Sequence, residues 1–219
     1  MSQAVLLKYE AYNTLKSSQQ CSGDFILVKH NGVKREELQR FIQSGFAREY
    51  KANVQEFMPQ LMAVDAFGLK AVLGLRCATE PLFIEQYLND PVEKYLAKQT
   101  PLLRTEIVEI GNLVSQNRLH TTRLFMLTAI SAINSGKRFL VFSATSNVAK
   151  LLSAYGLPLT LLRKADGKKL GDKQRYWGSY YQSDPQVMAL DLSDVSHLCE
   201  KEPLMGRMLT QLSRHSFAL

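Results

Sequence analysis

The alternation of apolar segments in the second half of the chain is the feature that most constrains its fold. A strand predicted at 106–114 leads to an apolar helix at 121–135, and the run RFLVFSAT follows at 138–145. Because that run has no polar alternation, it is typical of a strand buried on both faces. A second helix is predicted to end at 155–156, before another strand at 157–162. This order predicts an α/β fold with a central sheet flanked by helices.

The first half of the chain has a less regular pattern. Its apolar spacing predicts a strand at 25–29, a helix at 34–50, and a hairpin of two strands at 59–64 and 69–77. Segment 82–88 is largely apolar, and it fits either a strand or an extended connector.

The remaining elements define the expected boundaries. Asp90-Pro91 predicts the start of a short helix, since proline is favoured at the first helical position. Near the end of the chain, a strand at 187–192 precedes a helix near 203–213. We therefore expect an N-terminal extension at 1–22, an α/β domain at 23–192 and a C-terminal helical segment at 193–219.

The composition excludes several classes of protein. A hydrophobic content of 46% with 21% charged residues is typical of a folded chain. Cys21, Cys77 and Cys199 lie far apart, which predicts neither a disulfide framework nor a metal site, so a reducing compartment is expected. The first 25 residues contain no secretory signal, and we expect a cytoplasmic protein. The scattered histidines lack the spacing of metal ligands, and no motif of a serine hydrolase or a nucleotide-binding protein occurs.

The net charge of +7 is concentrated in one segment. Residues 163–175 contain six basic and two acidic side chains. Such a segment attracts anions, which include phosphates, an acidic protein or the surface of an anionic membrane, and so allows peripheral membrane contact. A solvated loop explains the charge equally well. No nucleic-acid-binding motif accompanies it, and no nucleic-acid partner is expected.

Five phrases of the chain are long and unusual in composition: FGLKAVLGLRCA, LFIEQYL, EIVEIGNLVS, RFLVFSATSNV and WGSYYQSDPQVMA. Across 24–192 they resemble the thermostable hemolysin family of proteobacterial proteins, whose name records a red-cell phenotype and not a chemistry. The order of elements is also similar to the GNAT superfamily of N-acyltransferases and to autoinducer synthases, which take acyl chains from acyl carrier protein. The resemblance implies a GNAT-like acyltransferase fold with a central mixed, twisted sheet.

The resemblance also implies where an acyl donor would bind. The strand EIGNLVS takes the place of the donor-binding strand, where Gly111 permits a bulge and the backbone near Asn112 and Leu113 would polarise the thioester. The glycines of the usual pyrophosphate-binding loop are missing after this strand. Phosphate would instead bind at the next helix N-terminus. The donor-binding candidates on or near that helix and the following strand are Arg118, Thr121, Thr122, Arg123 and Ser143.

The missing glycines bear on the identity of the donor. An acyl carrier protein presents one phosphate, so it is easier to reconcile with this loop than coenzyme A. We therefore expect acyl carrier protein as a partner, with acyl-coenzyme A as the other option and no tightly bound cofactor. The tyrosine that many acetyltransferases use as a general acid is replaced by Leu152.

Two carboxylates are candidates for the catalytic base. Glu109 lies within an otherwise apolar strand and is the first choice for a water-linked base, with Glu85 as the second. The alternative role of Glu109 is an ion pair with Arg104 or Arg76. The candidates for binding the amine substrate are Arg76, Trp177, Tyr180 and Tyr181, although the three aromatic residues would also suit simple packing.

The resulting hypothesis is an acyltransferase that joins a fatty acyl group to the amine of an amino acid or a similar small molecule. Its product would be a surfactant, which would explain red-cell lysis without a pore. Two alternatives stay open. One is a cytolysin that disrupts membranes directly, although no membrane-inserting segment is apparent. The other is a binding module that keeps the fold without catalysis.

Overall fold

The computed structural model describes residues 19–96, 101–201 and 203–219. Its centre is an eight-stranded sheet with the order β1-β2-β3-β4-β5-β6-β8-β7. The strands are β1 (Gln19–Ser22), β2 (Phe25–Val28), β3 (Gln60–Asp65), β4 (Leu69–Cys77), β5 (Ile107–Ser115), β6 (Phe139–Ala144), β7 (Leu159–Lys164) and β8 (Gln186–Asp191). Strands β5 and β6 are parallel and the other neighbours are antiparallel, so the sheet is mixed, as predicted.

Helices cover both faces of the sheet. They are α1 (Arg35–Tyr50), α2 (Val92–Leu96), α3 (Arg118–Asn134), α4 (Ser146–Ala154), α5 (Leu192–Lys201) and α6 (Pro203–Ser213). Short 3-10 segments lie at Phe83–Tyr87, Arg104–Glu106, Gly167–Trp177 and Tyr180–Ser183. Helices α3 to α6 contribute to one apolar core. Helices α1 and α2 and three of the 3-10 segments pack on the opposite face in two further clusters; these segments are Phe83–Tyr87, Gly167–Trp177 and Tyr180–Ser183. The predicted α/β architecture is confirmed.

The two ends of the chain join the sheet and its core. Strand β1 lies within the predicted N-terminal extension and pairs with β2, with Gln19 opposite Val28 and Ser22 opposite Phe25. Residues 1–18 of that extension lie outside the described residues. Helices α5 and α6 pack against α3, and Phe217 is buried in the same core. The backbone N–H of Phe217 donates to Ser131 Oγ at 3.0 Å. The C-terminal helices therefore share the core of the sheet domain.

The predicted conformation of one segment and the predicted start of one helix are wrong for identifiable reasons. Segment 82–88 is neither a strand nor an extended connector, because 3-10 turns form at Phe83–Tyr87. Helix α3 starts three residues earlier than its predicted start at 121. It starts there because Asn117 caps it: the Asn117 Oδ1 accepts a hydrogen bond from the backbone N–H of His120 at 3.0 Å.

Strands β5 and β6 separate partway along their length. They are paired from Ile107, opposite Phe139, to Ile110, opposite Phe142. Beyond this point β5 continues along β4, and β6 continues along β8. The register of β5 against β4 shifts between Val72 and Gly74, where β5 carries a bulge. The bulge predicted near Gly111 is thus present. The left-handed backbone falls one residue later, at Asn112, with φ of 51°.

Three further features bear on the alternative functions. Within 19–96, 101–201 and 203–219, no helix combines the length and the apolarity needed to cross a bilayer. The same residues include no group of three or more His, Cys, Asp or Glu side chains arranged to hold a metal ion. Cys21 and Cys77 are free thiols.

Candidate active site

A cavity of about 400 Å³ opens where β5 and β6 separate. Its wall includes Phe125, Phe142 and Val148, which belong to the core on the α3 side of the sheet. It also includes Tyr50 and Trp177, which lie on the opposite face. The cavity therefore passes between the two strands, and apolar side chains form most of its inner surface.

Glu109 is a buried carboxylate in this wall, with only 1% of its surface exposed. Its two oxygens accept hydrogen bonds from the backbone N–H groups of Phe83 at 2.9 Å and Ile84 at 2.8 Å. Burial raises the pKa of Glu109 to about 7, although the two backbone hydrogen bonds and the charge of Arg76 oppose the shift. A carboxyl group with this pKa is suited to accept a proton near neutral pH.

Glu85, the second candidate base, lies outside the cavity wall. Its carboxylate pairs with Arg104 at 2.7 Å and accepts hydrogen bonds from the backbone N–H groups of Leu82 and Val92. Burial raises the pKa of Glu85, but the bonds from Arg104 and the two backbone groups outweigh it and keep the pKa below its usual value. The structure thus anchors Glu85 outside the cavity wall, although its charge contributes to raising the pKa of Glu109.

The bulged part of β5 lines the cavity through Gly111, Asn112 and Leu113. The Asn112 Oδ1 accepts a hydrogen bond from Met58 N at 2.9 Å, and the Asn112 Nδ2 donates to Glu56 O at 3.3 Å. A Cβ added at Gly111 would overlap the Met58 Cε. Asn112 and Gly111 together allow the loop before β3 to lie directly against the bulge.

The four candidates at the start of α3 lie outside the cavity wall. The Thr121 hydroxyl donates to Asn117 O at 3.0 Å, and the Thr122 hydroxyl donates to Arg118 O at 2.9 Å. Arg123 pairs with Asp24 at 3.6 Å and also covers the ring of Phe25. Arg118 is exposed. The hydroxyls of Thr121 and Thr122 and the guanidinium of Arg123 therefore already have partners within the protein. The structure does not bring these four residues together with Glu109.

The WGSYY run forms an aromatic part of the cavity wall. Trp177, Tyr180 and Ser143 line the cavity, and the Tyr180 hydroxyl lies 3.3 Å from the Ser143 Oγ. Tyr181 lies behind them, with its hydroxyl 2.6 Å from that of Tyr87. Burial raises the pKa of Tyr180 to about 12, and it also raises the pKa of Tyr181. These phenols are neutral at physiological pH.

Several wall residues were not among the sequence candidates. Phe46 and Tyr50 lie one helical turn apart on α1. Their spacing in the sequence could have predicted that both side chains lie on the same face of the helix. Met58 lies in a loop without local pattern, so nothing in its neighbourhood indicated its contact with Gly111 and Asn112.

Arg76 lines the cavity beside Glu109. The two residues are direct cross-strand partners of β4 and β5. The Arg76 Nη1 donates to Pro81 O at 3.0 Å. The buried Nε has no hydrogen-bond partner among the described residues.

The fold of the chain is similar to the folds of several solved structures. The chain aligns with the AHL synthase LasI at a TM-score of 0.54 and 12% identity, covering 77% of this chain and 89% of that chain. FeeM, an N-acyl amino acid synthase from uncultured soil microbes, gives a TM-score of 0.55 and 11% identity over 77% of this chain and 92% of that chain. BjaI, a CoA-dependent acyl-homoserine lactone synthase with SAM and isopentyl-CoA, gives a TM-score of 0.53 and 9% identity over 84% of this chain and 86% of that chain. The chain therefore has a GNAT-like acyltransferase fold.

The family follows from the sequence match. The model of the thermostable hemolysin family matches residues 28–196, and the protein belongs to that family. Both resemblances drawn from the sequence are confirmed. No curated protein sequence matches the chain significantly.

Proposed function

We propose that this protein is an N-acyltransferase that transfers a fatty acyl group from a thioester to the amine of an amino acid or a similar small molecule. The observation that carries this proposal is the position of Glu109. A buried carboxyl group with a pKa of about 7 lies in the wall of a largely apolar cavity, beside the bulged backbone of β5. An acyl chain, a thioester carbonyl and a proton acceptor could thus meet in one enclosed space.

Each part of the reaction has a place in this arrangement. The acyl chain lies against apolar side chains such as Phe125 and Phe142, and the thioester lies along the backbone of Gly111–Leu113. The amine nitrogen attacks the carbonyl carbon, so that a C–N bond forms and the C–S bond breaks. Glu109 takes the proton of the amine, directly or through one water, and returns it to the leaving thiolate. Enclosure by the aromatic wall limits hydrolysis of the thioester.

Charge at the cavity mouth supports acyl carrier protein as the donor. Arg175 lines the cavity and Lys168 is exposed on the same segment, whereas Lys173 pairs with Glu56 at 2.8 Å. An acidic carrier protein would meet this surface with complementary charge. Acyl-coenzyme A is the alternative donor.

The function is tested by the lipids of bacteria that express the protein. Mass spectrometry should detect N-acylated amines that are much less abundant in cells expressing the Glu109→Gln variant. An organic extract of the wild-type cells should lyse erythrocytes, whereas purified and delipidated protein should not. Strong lysis by the delipidated protein, with no new acylated amine, would instead favour a direct cytolysin.

The donor is tested by charge reversal at the cavity mouth. The double variant Lys168→Glu/Arg175→Glu should raise the KM for an acyl carrier protein thioester several-fold, because each exposed contact contributes about 0–1 kcal/mol. The difference should shrink at high salt, and the KM for a short pantetheine thioester should change little. Lys29→Glu/Arg40→Glu, which reverses two exposed charges elsewhere, is the matched control. Equal use of acyl-coenzyme A without salt dependence would exclude the carrier protein.

A further inference from the structure

Arg76 has a hydrogen-bond donor that the described residues leave unused, and its charge acts on the neighbouring Glu109. Its Nη1 donates to Pro81 O, yet its Nε is buried without a partner among the described residues. No ion pair joins its guanidinium to a carboxylate within that part of the chain. A buried N–H without an acceptor is costly, and more so when it belongs to a charged group. An anionic group of a ligand that reaches the guanidinium would supply the missing acceptor.

The position of Arg76 indicates which ligand that is. Arg76 and Glu109 are cross-strand partners, and the Cβ atoms of such a pair lie about 5 Å apart on one face. Both residues line the cavity. A positive and a negative side chain thus stand next to each other in the cavity wall. An α-amino acid carries the complementary pair of charges on two groups bonded to the same carbon atom.

We propose that Arg76 binds the carboxylate of an α-amino acid acceptor and so directs its amine toward Glu109. The guanidinium can offer its Nε and Nη2 groups as the parallel pair that a carboxylate accepts. Arg76 takes no proton and forms no bond in the reaction, so it is a positioning residue. An amine without a carboxylate would leave the guanidinium unpaired and would bind with one contact fewer. This inference rests on the proposed function and narrows its acceptor to amino acids.

The test compares two acceptors that differ only in the carboxylate, phenylalanine with 2-phenylethylamine and leucine with 3-methylbutylamine. The measured quantity is the ratio of kcat/KM for the amino acid to kcat/KM for the amine. Arg76→Met keeps the length of the stem and removes the charge, and it should lower this ratio roughly 10- to 100-fold, because a hydrogen bond to a charged group is lost. Arg76→Lys keeps the charge but not the paired donors, so the ratio should fall less.

The ratio separates positioning from general damage. Loss of stability, or a shift in the pKa of Glu109, impairs both acceptors together and leaves the ratio unchanged. Arg40→Met, on the exposed side of α1, is the matched control and should also leave the ratio unchanged. A wild-type enzyme with no preference for the amino acid, or an Arg76→Met variant with an unaltered ratio, would overturn the proposal.

Binding measurements separate this inference from the proposed function. Phenylalanine and leucine should raise the melting temperature of wild-type protein more than their amines do, and Arg76→Met should remove the difference. If no thioester donor supports acyl transfer but this difference is present, the acyltransferase proposal fails and the carboxylate site stands. If transfer proceeds while the amino acids and amines stabilise the protein equally, the carboxylate site is wrong.

Discussion

Replacing Glu109 by glutamine should lower the rate of acyl transfer about 100-fold, since glutamine cannot accept the proton of the amine. In the wild-type enzyme, kcat/KM should rise with pH and level off above about 7, where the carboxyl group is ionised. The variant should lose this rising limb. The measurement is a pH–rate profile from about 5 to 9 with a fixed acceptor. Glu85→Gln is the matched control, because its carboxylate pairs with Arg104 outside the cavity. A rising limb that disappears in Glu85→Gln and persists in Glu109→Gln would reverse the two assignments.

The carboxyl group of Glu109 should also make the stability of the protein depend on pH. Its pKa is about 7 in the folded protein and near 4.5 in the unfolded chain, so between these values only the folded state keeps the proton. The contribution of Glu109 to the free energy of unfolding should therefore fall by about 3 kcal/mol as the pH rises from 4.5 to 7, and change no further above 7. Denaturant titration over this range should show the slope in wild-type protein and not in Glu109→Gln. Equal slopes in both proteins would mean that Glu109 has an ordinary pKa and is a poor candidate for the base.

The sequence predicted the elements whose local pattern matches their environment. The run FLVFSA of β6 is apolar because both faces of that strand are buried, so its place at the centre of the sheet could be read directly. Strand β1, with the sequence QQCS, carries no such pattern, since its order comes from pairing with β2. The 3-10 turns at Phe83–Tyr87 depend on hydrogen bonds to Glu109, far along the chain. Long-range partners of this kind leave no local signal.

The same distinction applies to the candidate site. Glu109 stood out because a carboxylate within an apolar strand must have a buried partner or a function. Glu85 looked similar, but its partner Arg104 lies on another segment, and only the fold shows that the two are paired. The threonines at the start of α3 suggested phosphate binding, whereas their hydroxyls donate to the preceding turn of their own helix. Residue type predicted which side chains are candidates, and position within the fold decides which of them share the cavity.

The second large effect should come from Gly178, where the aromatic wall docks onto the end of α1. Its backbone combines a φ of 50° with a ψ of −125°, which only glycine adopts easily, and an added Cβ would overlap the backbone oxygen of Tyr50. The hydrogen bonds from Ser179 N to Tyr50 O at 2.8 Å and from Asn53 N to Tyr176 O at 2.7 Å require this close approach. Gly178→Ala should therefore reduce the free energy of unfolding by about 4 kcal/mol, since backbone strain and steric overlap add.

Gly171 provides the matched control for this prediction. Its φ of 56° is similar, but an added Cβ would meet no atom within 4 Å, so only the backbone strain remains. Gly171→Ala should cost about 2 kcal/mol, which corresponds to a fall in Tm of roughly 5 °C, against roughly 10 °C or more for Gly178→Ala. Because Gly178 adjoins Trp177 and Tyr180 in the cavity wall, its variant should also bind the acceptor more weakly at temperatures where it stays folded. Equal losses of stability in the two variants would show that the wall does not approach Tyr50 this closely. The aromatic run would then be a poor candidate for the boundary of the acceptor site.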